Sequence, residues 1–244
     1  MPTIPSDSSL LYWHASIQSR SRPYLPFEHR CAGSLIHSQW ILLPAHCIDI
    51  DQKLESWRVC FASDSREPCI GPDAFITHKD FVSSQGNVYY HDIALLHLSK
   101  KVSNIHPVCL PYSEETVSSG DICYWAGWTT AETGGINTHT KFQVPIPIMP
   151  YETCSKPSFW QNQLTTSMVC AGFESPEKLK SSCKSGAEGA LICQSASNSA
   201  WEVQGITSFG PNNCLVERKP QVFTKVSAYR EWVEDQMKKY SYEK

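Results

Sequence analysis

The sequence has few of the features that mark a nucleic-acid, membrane or metal-binding protein. Its net charge is −3 and its pI is about 6.3, so it lacks the basic excess of a nucleic-acid binder. No apolar run approaches the roughly 18 residues that a membrane-spanning helix needs. No Cys-x-x-Cys pair occurs, so clustered metal ligands are missing too. We therefore expect no nucleic-acid partner, no membrane span, no cofactor and no metal.

Signals for export and glycosylation are also missing. Residues 1–10 lack the basic start and apolar core of a signal peptide, and no Asn-x-Ser/Thr sequon occurs. Cysteine, in contrast, is abundant, with 11 in 244 residues, which indicates an oxidising compartment. We expect a secreted or extracellular protein whose sequence here is a truncated isoform, an incomplete gene product or a piece of a longer precursor. A cytosolic protein with reduced thiols is the alternative.

Length and hydrophobic patterning indicate a β-rich chain. At 244 residues and 41% hydrophobic content, the chain suits one large all-β unit or two small domains. Short apolar segments at 35–36, 40–43, 93–98 and 201–206 are separated by turn clusters, which is typical of a barrel or sandwich. From Val226 onward the apolar residues recur at helical spacing, which predicts one amphipathic C-terminal helix.

Residues 183–193 read Cys-Lys-Ser-Gly-Ala-Glu-Gly-Ala-Leu-Ile-Cys. Taken alone, this is a loop bracketed by two cysteines in some secreted β protein. It resembles, however, the nucleophile loop of trypsin-like serine proteases, which reads Cys-x-Gly-Asp-Ser-Gly-Gly-Pro-Leu-Val-Cys. The resemblance places Ala187 at the position of the nucleophilic serine.

Two further windows resemble the same family and stand in the order of its catalytic residues. His46 follows Trp-Ile-Leu-Leu-Pro-Ala and precedes a cysteine, and Asp92 opens Asp-Ile-Ala-Leu-Leu. Singly, such a histidine is structural more often than catalytic, and such an aspartate is a common turn former. The resemblance extends over nearly the whole chain through segments 31–36, 127–128, 206–210 and 219–226.

The resemblance implies an all-β fold of two six-stranded Greek-key β-barrels packed face to face, closed by a C-terminal α-helix. It implies one trypsin-like domain over residues 1–244. Within it we expect an N-terminal barrel at about 11–108, a C-terminal barrel at about 121–224 and the helix at about 226–240.

The nucleophile loop departs from the family pattern. His46 and Asp92 would be relics of a triad, because Ala187 supplies no hydroxyl. Ser185 stands at the oxyanion-hole glycine, and Gly186 replaces the aspartate that pairs with a newly cut N-terminal amine in the family. The resemblance therefore implies no competent catalytic set.

The specificity pocket departs as well. The resemblance places Ser181 at its base, where trypsin-like specificity needs an aspartate, and Ser208 and Gly210 on the strand that lines it. Gln221 takes the place of a wall glycine, where its long amide would project into the pocket. The alternative for Gln221 is an exposed polar residue after a proline.

The family pattern also implies a disulfide framework. The pairs implied are Cys31–Cys47, Cys123–Cys193, Cys154–Cys170 and Cys183–Cys214, with Cys60–Cys69 as a local addition. Cys109 resembles a residue that many family members join to a cysteine upstream of the activation site. Since no cysteine precedes Cys31, we expect Cys109 to be free, capped, or linked to a segment outside this sequence or to another chain.

The function implied is that of an inactive serine protease homologue, a pseudoprotease. We expect no enzymatic activity, because Ala187 stands at the nucleophile position, and we expect the chain to act by binding another macromolecule, an unidentified protein. The alternative is a secreted serine-type endopeptidase with residual or unconventional activity. A decoy that occupies a protease's inhibitor is a third hypothesis, which a filled pocket disfavours.

Overall fold

The computed structural model describes residues 12–48, 53–61, 69–84, 86–112, 117–133, 136–175, 187–211 and 219–243. These residues form two antiparallel β-structures and one long C-terminal helix. The mostly-β fold with a terminal helix confirms the predicted fold class.

The N-terminal half forms one sheet. Its strands in chain order, with a small separate hairpin of β6 and β7, are β1 (His14–Ser19), β2 (Glu28–His37), β3 (Trp40–Leu43), β4 (Trp57–Phe61), β5 (Pro72–Thr77), β6 (Val82–Ser83), β7 (Tyr89–Tyr90) and β8 (Ala94–Leu98). The sheet has six strands in the order β4-β1-β2-β3-β8-β5. The sheet is a half-barrel, and a bridge between Val59 of β4 and Ile70 brings its two edges together.

The C-terminal half forms a closed six-stranded barrel in the order β10-β11-β14-β13-β12-β9. Its strands are β9 (Ile122–Thr133), β10 (Ile136–Met149), β11 (Met168–Ala171), β12 (Glu188–Gln194), β13 (Trp201–Phe209) and β14 (Gln221–Lys225). A short helix α1 (Tyr151–Cys154) precedes β11, and helix α2 (Arg230–Glu243) follows a 3-10 turn, Val226–Tyr229.

Side-chain alternation explains how the two halves come together. Neighbouring side chains of β3 point to opposite faces of the sheet. Ile41 packs into the core of the half-barrel, whereas Leu42 joins a second cluster that includes Val203 of β13 and Val233 of α2. Strand β3 is therefore buried on both faces, and the residues that follow it lie at the junction of the two β-structures.

A close approach of strands fixes the start of β12. Gly189 lies directly opposite Gly127 of β9, and a Cβ atom on Gly189 would clash with the backbone of Ala126 and Gly127. Only glycine permits this spacing. The strand is thus held tightly just after residues 187 and 188.

Candidate active site

Asp92 is anchored by donors from both halves of the molecule. It precedes β8 and is 1% exposed. Its Oδ1 accepts the backbone N–H of His46 at 2.9 Å, and its Oδ2 accepts the Ser208 hydroxyl at 2.6 Å. The Thr224 hydroxyl donates to the Asp92 carbonyl oxygen at 2.9 Å. This network satisfies a buried carboxylate and fixes its orientation.

His46 is held against Asp92 in an orientation suited to proton transfer. It lies in the 3-10 turn Ala45–Cys47 after β3, with Nδ1 at 2.7 Å from Asp92 Oδ2. Its ring stacks on Tyr89, with centroids 4.6 Å apart. Because Nδ1–H donates to the carboxylate, Nε2 carries the lone pair of the neutral ring and can act as a base.

The pKa of His46 reflects two opposing influences. Burial lowers it, but the hydrogen bond and charge of Asp92 and the charge of Glu188 outweigh burial and raise the pKa above its ordinary 6.5. The imidazolium that forms when His46 takes a proton is therefore stabilised in place.

Glu188 is a site residue that the sequence reasoning missed. It opens β12, and its Oε2 accepts the backbone N–H of Ala32 in β2 at 3.2 Å. Burial raises its pKa to about 7, against the lowering influence of His46 and of the Ala32 bond. The signal was present, because the family loop has glycine where this chain has glutamate.

A cavity of about 200 Å³ lies beside His46. It is lined by His46, Asn87, Tyr89, Ala187, Glu188, Thr207, Ser208, Phe209, Gly210, Pro211 and Gln221. Ala187 presents a methyl group to this cavity. The Thr207 hydroxyl accepts from Trp125 Nε1 at 3.0 Å, and the Ser208 hydroxyl is bound to Asp92, so neither stands ready as a replacement nucleophile.

Gln221 lies where the resemblance suggested that it would obstruct the pocket. Its Nε2 donates to the Phe209 carbonyl oxygen at 2.9 Å, and its amide fills the space that a side chain on Gly210 would need. The cavity therefore brings together His46, Ala187 and three of the predicted pocket residues, Ser208, Gly210 and Gln221. Ser181, Ser185 and Gly186 lie outside the described residues, and their predicted roles stay predictions.

The described residues contain four disulfides: Cys31–Cys47, Cys60–Cys69, Cys123–Cys193 and Cys154–Cys170. The first ties β2 to the turn that carries His46. The predicted Cys183–Cys214 pair lies outside the described residues. Among the cysteines that the structure describes, Cys109 is unpaired, and it is exposed.

One group of potential metal ligands adjoins the site. Atoms of Cys31, His46, Cys47 and Glu188 lie within 4.8 Å of one another. The two cysteines are joined in a disulfide, which leaves one histidine and one carboxylate, fewer than the three protein ligands of a catalytic zinc site.

No helix among the described residues is long and apolar enough to cross a membrane.

Comparisons with known proteins agree with this architecture. The trypsin family model matches residues 5–233. Chymotrypsin-like elastase family member 1 of Bos taurus is 31% identical over 231 residues, which cover 91% of this chain and 84% of the relative.

These comparisons overturn one prediction. The matching family and the elastase relative both point to a protease, so the expectation that the chain is not an enzyme is wrong. That expectation rested on Ala187 and gave too little weight to the rest of the site. His46 and Asp92 are joined by a 2.7 Å hydrogen bond.

Proposed function

Because the chain belongs to the trypsin family of serine proteases, we propose that its cavity binds a polypeptide and hydrolyses it with a water molecule in place of a serine hydroxyl. The observation that carries this proposal is the intact His46–Asp92 pair beside a cavity into which Ala187 presents a methyl group. A methyl group leaves room for a water where the hydroxyl would stand.

The proposed reaction is a direct hydrolysis with His46 as general base and then general acid. The water donates one proton to His46 Nε2 while its oxygen bonds to the carbonyl carbon of the peptide. The imidazolium then returns the proton to the departing amide nitrogen as the C–N bond breaks. The products are a carboxylic acid and an amine, and Asp92 keeps the imidazole oriented throughout without itself taking the proton.

This route is much slower than catalysis by an activated serine. A triad that lacks a member retains about 10³- to 10⁴-fold acceleration over water, contributed by the oxyanion hole and binding. A bound polypeptide would therefore remain uncleaved far longer than in an ordinary protease. Binding of a protein partner is thus the larger part of the proposed function, with slow hydrolysis following it.

The shape of the cavity supports a preference for small side chains. The amide of Gln221 lies against Gly210 and bonds to Phe209, so it occupies depth that an incoming side chain would otherwise use. We infer that the residue seated there is small. The four disulfides among the described residues also support an extracellular site of action, because such bonds persist in oxidising compartments.

The test is hydrolysis of activated esters and of a mixed peptide library by the purified chain. We expect slow turnover without a burst, and His46→Ala should lower it about a hundredfold, since a positioned general base contributes at least that much. His37→Ala, which changes an exposed histidine on β2, is the matched control and should have no effect.

A fluorophosphonate probe separates this route from an unconventional serine nucleophile. We expect no labelled serine. Stoichiometric labelling of any serine, or turnover that His46→Ala leaves unchanged, would contradict a water activated by His46.

A further inference from the structure

Glu188 is the acidic side chain among the described residues that line the cavity. Asp92 and Glu188 are carboxylates, and His46 is the cation available to both. The lining residues, all of them within the described part of the chain, include no lysine or arginine. The Asp92 carboxylate already accepts hydrogen bonds from the His46 ring, the His46 backbone N–H and the Ser208 hydroxyl. Among the described residues of the site, Glu188 is therefore the carboxylate that has no cation hydrogen-bonded to it.

Glu188 is placed to meet a ligand. One carboxylate oxygen, Oε2, is bound to the N–H of Ala32, and the carboxylate lies within 4.8 Å of a ring nitrogen of His46 and of the Cys31–Cys47 sulfurs. Gln221 bonds instead to Phe209 at the end of β13. Glu188 thus defines a separate part of the cavity, next to β2 and the proton-transferring histidine.

We propose that Glu188 makes the cavity select polypeptides that place a lysine or arginine side chain beside it. This inference rests on the proposed function, because it names the class of polypeptide that the same cleft accepts. In the bound polypeptide, the residue that lies near Gln221 is small and the residue that lies near Glu188 is basic.

The physical reason is the cost of a buried carboxylate whose nearest described cation, His46, is already hydrogen-bonded to Asp92. Burying a charge is expensive unless it is paired and hydrogen-bonded, and the raised pKa of Glu188 reflects that cost. A ligand ammonium or guanidinium supplies the missing charge together with a charge-assisted hydrogen bond. Because Ala32 already orients the carboxylate, little side-chain entropy is lost when the ligand arrives.

The test uses fluorescein-labelled octapeptides that carry lysine, arginine or the neutral norleucine at each position in turn. Binding is measured by fluorescence anisotropy at pH 8, low salt and with a chelator present, so that no metal ion bridges His46 and Glu188. At one position we expect lysine or arginine to lower the Kd about tenfold relative to norleucine, as a hydrogen bond to a charged group does.

Two variants and one control decide the matter. Glu188→Gln and Glu188→Gly, the latter carrying the residue of the family pattern, should reduce the preference for a basic residue over norleucine to less than twofold. Glu231→Gln, which removes an exposed carboxylate from α2, is the control and should keep the preference for a basic residue. Trp fluorescence checks that each variant is folded.

The two ways of failing are distinct. Peptides that bind equally well with and without a basic residue would overturn the role of Glu188 and leave the proposed function standing. If no octapeptide binds, both are overturned.

Discussion

Replacing Glu188 with glutamine should make the protein more stable at alkaline pH and not at acid pH. The folded chain raises the pKa of Glu188 from its ordinary 4.5 to about 7, chiefly by burial. The fold therefore favours the protonated carboxyl. Below pH 4.5 the group is protonated in both folded and unfolded chains, so its stabilising contribution is fully present.

As the pH rises from 4.5 through 7, the unfolded chain releases the proton first and the native protein loses stability. Glutamine cannot titrate, and it keeps an oxygen to accept the Ala32 N–H. The difference between the two pKa values corresponds to about 3 kcal/mol above pH 7. The charged groups facing Glu188 are His46 and Asp92. Loss of the Glu188 charge lowers the pKa of His46, which offsets part of this gain until His46 is neutral.

Calorimetric melting temperatures of the native chain and of Glu188→Gln at pH 4, 7 and 8.5 test this pH dependence. We expect equal melting temperatures at pH 4 and a Glu188→Gln variant that melts about 6–10 °C higher at pH 8.5, as a chain of this size converts such a free energy. Glu231→Gln should match the native chain throughout. A Glu188→Gln variant that is no more stable than the native chain at pH 8.5 would refute the claim that burial of the Glu188 charge destabilises the folded protein.

Two further predictions concern the anchoring of Asp92 and the odd cysteine. Ser208→Ala removes the 2.6 Å hydrogen bond to buried Asp92, which should lower the free energy of unfolding, measured by urea denaturation, by about 1–3 kcal/mol. Ser99→Ala, which changes an exposed serine, is the control and should leave the free energy of unfolding unchanged. An effect of Ser208→Ala as small as that of the control would contradict the anchoring role. Alkylation and non-reducing peptide mapping of the native chain should find Cys109 as a reactive thiol, a capped thiol or an intermolecular disulfide. A bridge from Cys109 to Cys60 or Cys69 would refute the Cys60–Cys69 disulfide.

The sequence by itself determined the class of fold and indicated, through a family resemblance, which residues belong to the candidate site. Local periodicity predicts the apolar strand at 40–43 and the helix after Val226, because it depends only on residues close together in the sequence. The segments around His46, Asp92 and Ala187 resemble those of trypsin-like serine proteases, and this resemblance places alanine at the nucleophile position. These features are local, so they can be predicted without knowing how distant strands pack.

Only the tertiary structure decided what surrounds that position. Ser208 reaches Asp92 across 116 residues of sequence, and Glu188 reaches Ala32 across 156. Such contacts depend on how the half-barrel meets the closed barrel, and so do burial and the pKa values that follow from it. The sequence showed a glutamate in place of glycine, but its burial beside His46 came from the packing of β12 against β2. That packing brings Glu188 into the cavity and leaves its charge in need of a partner.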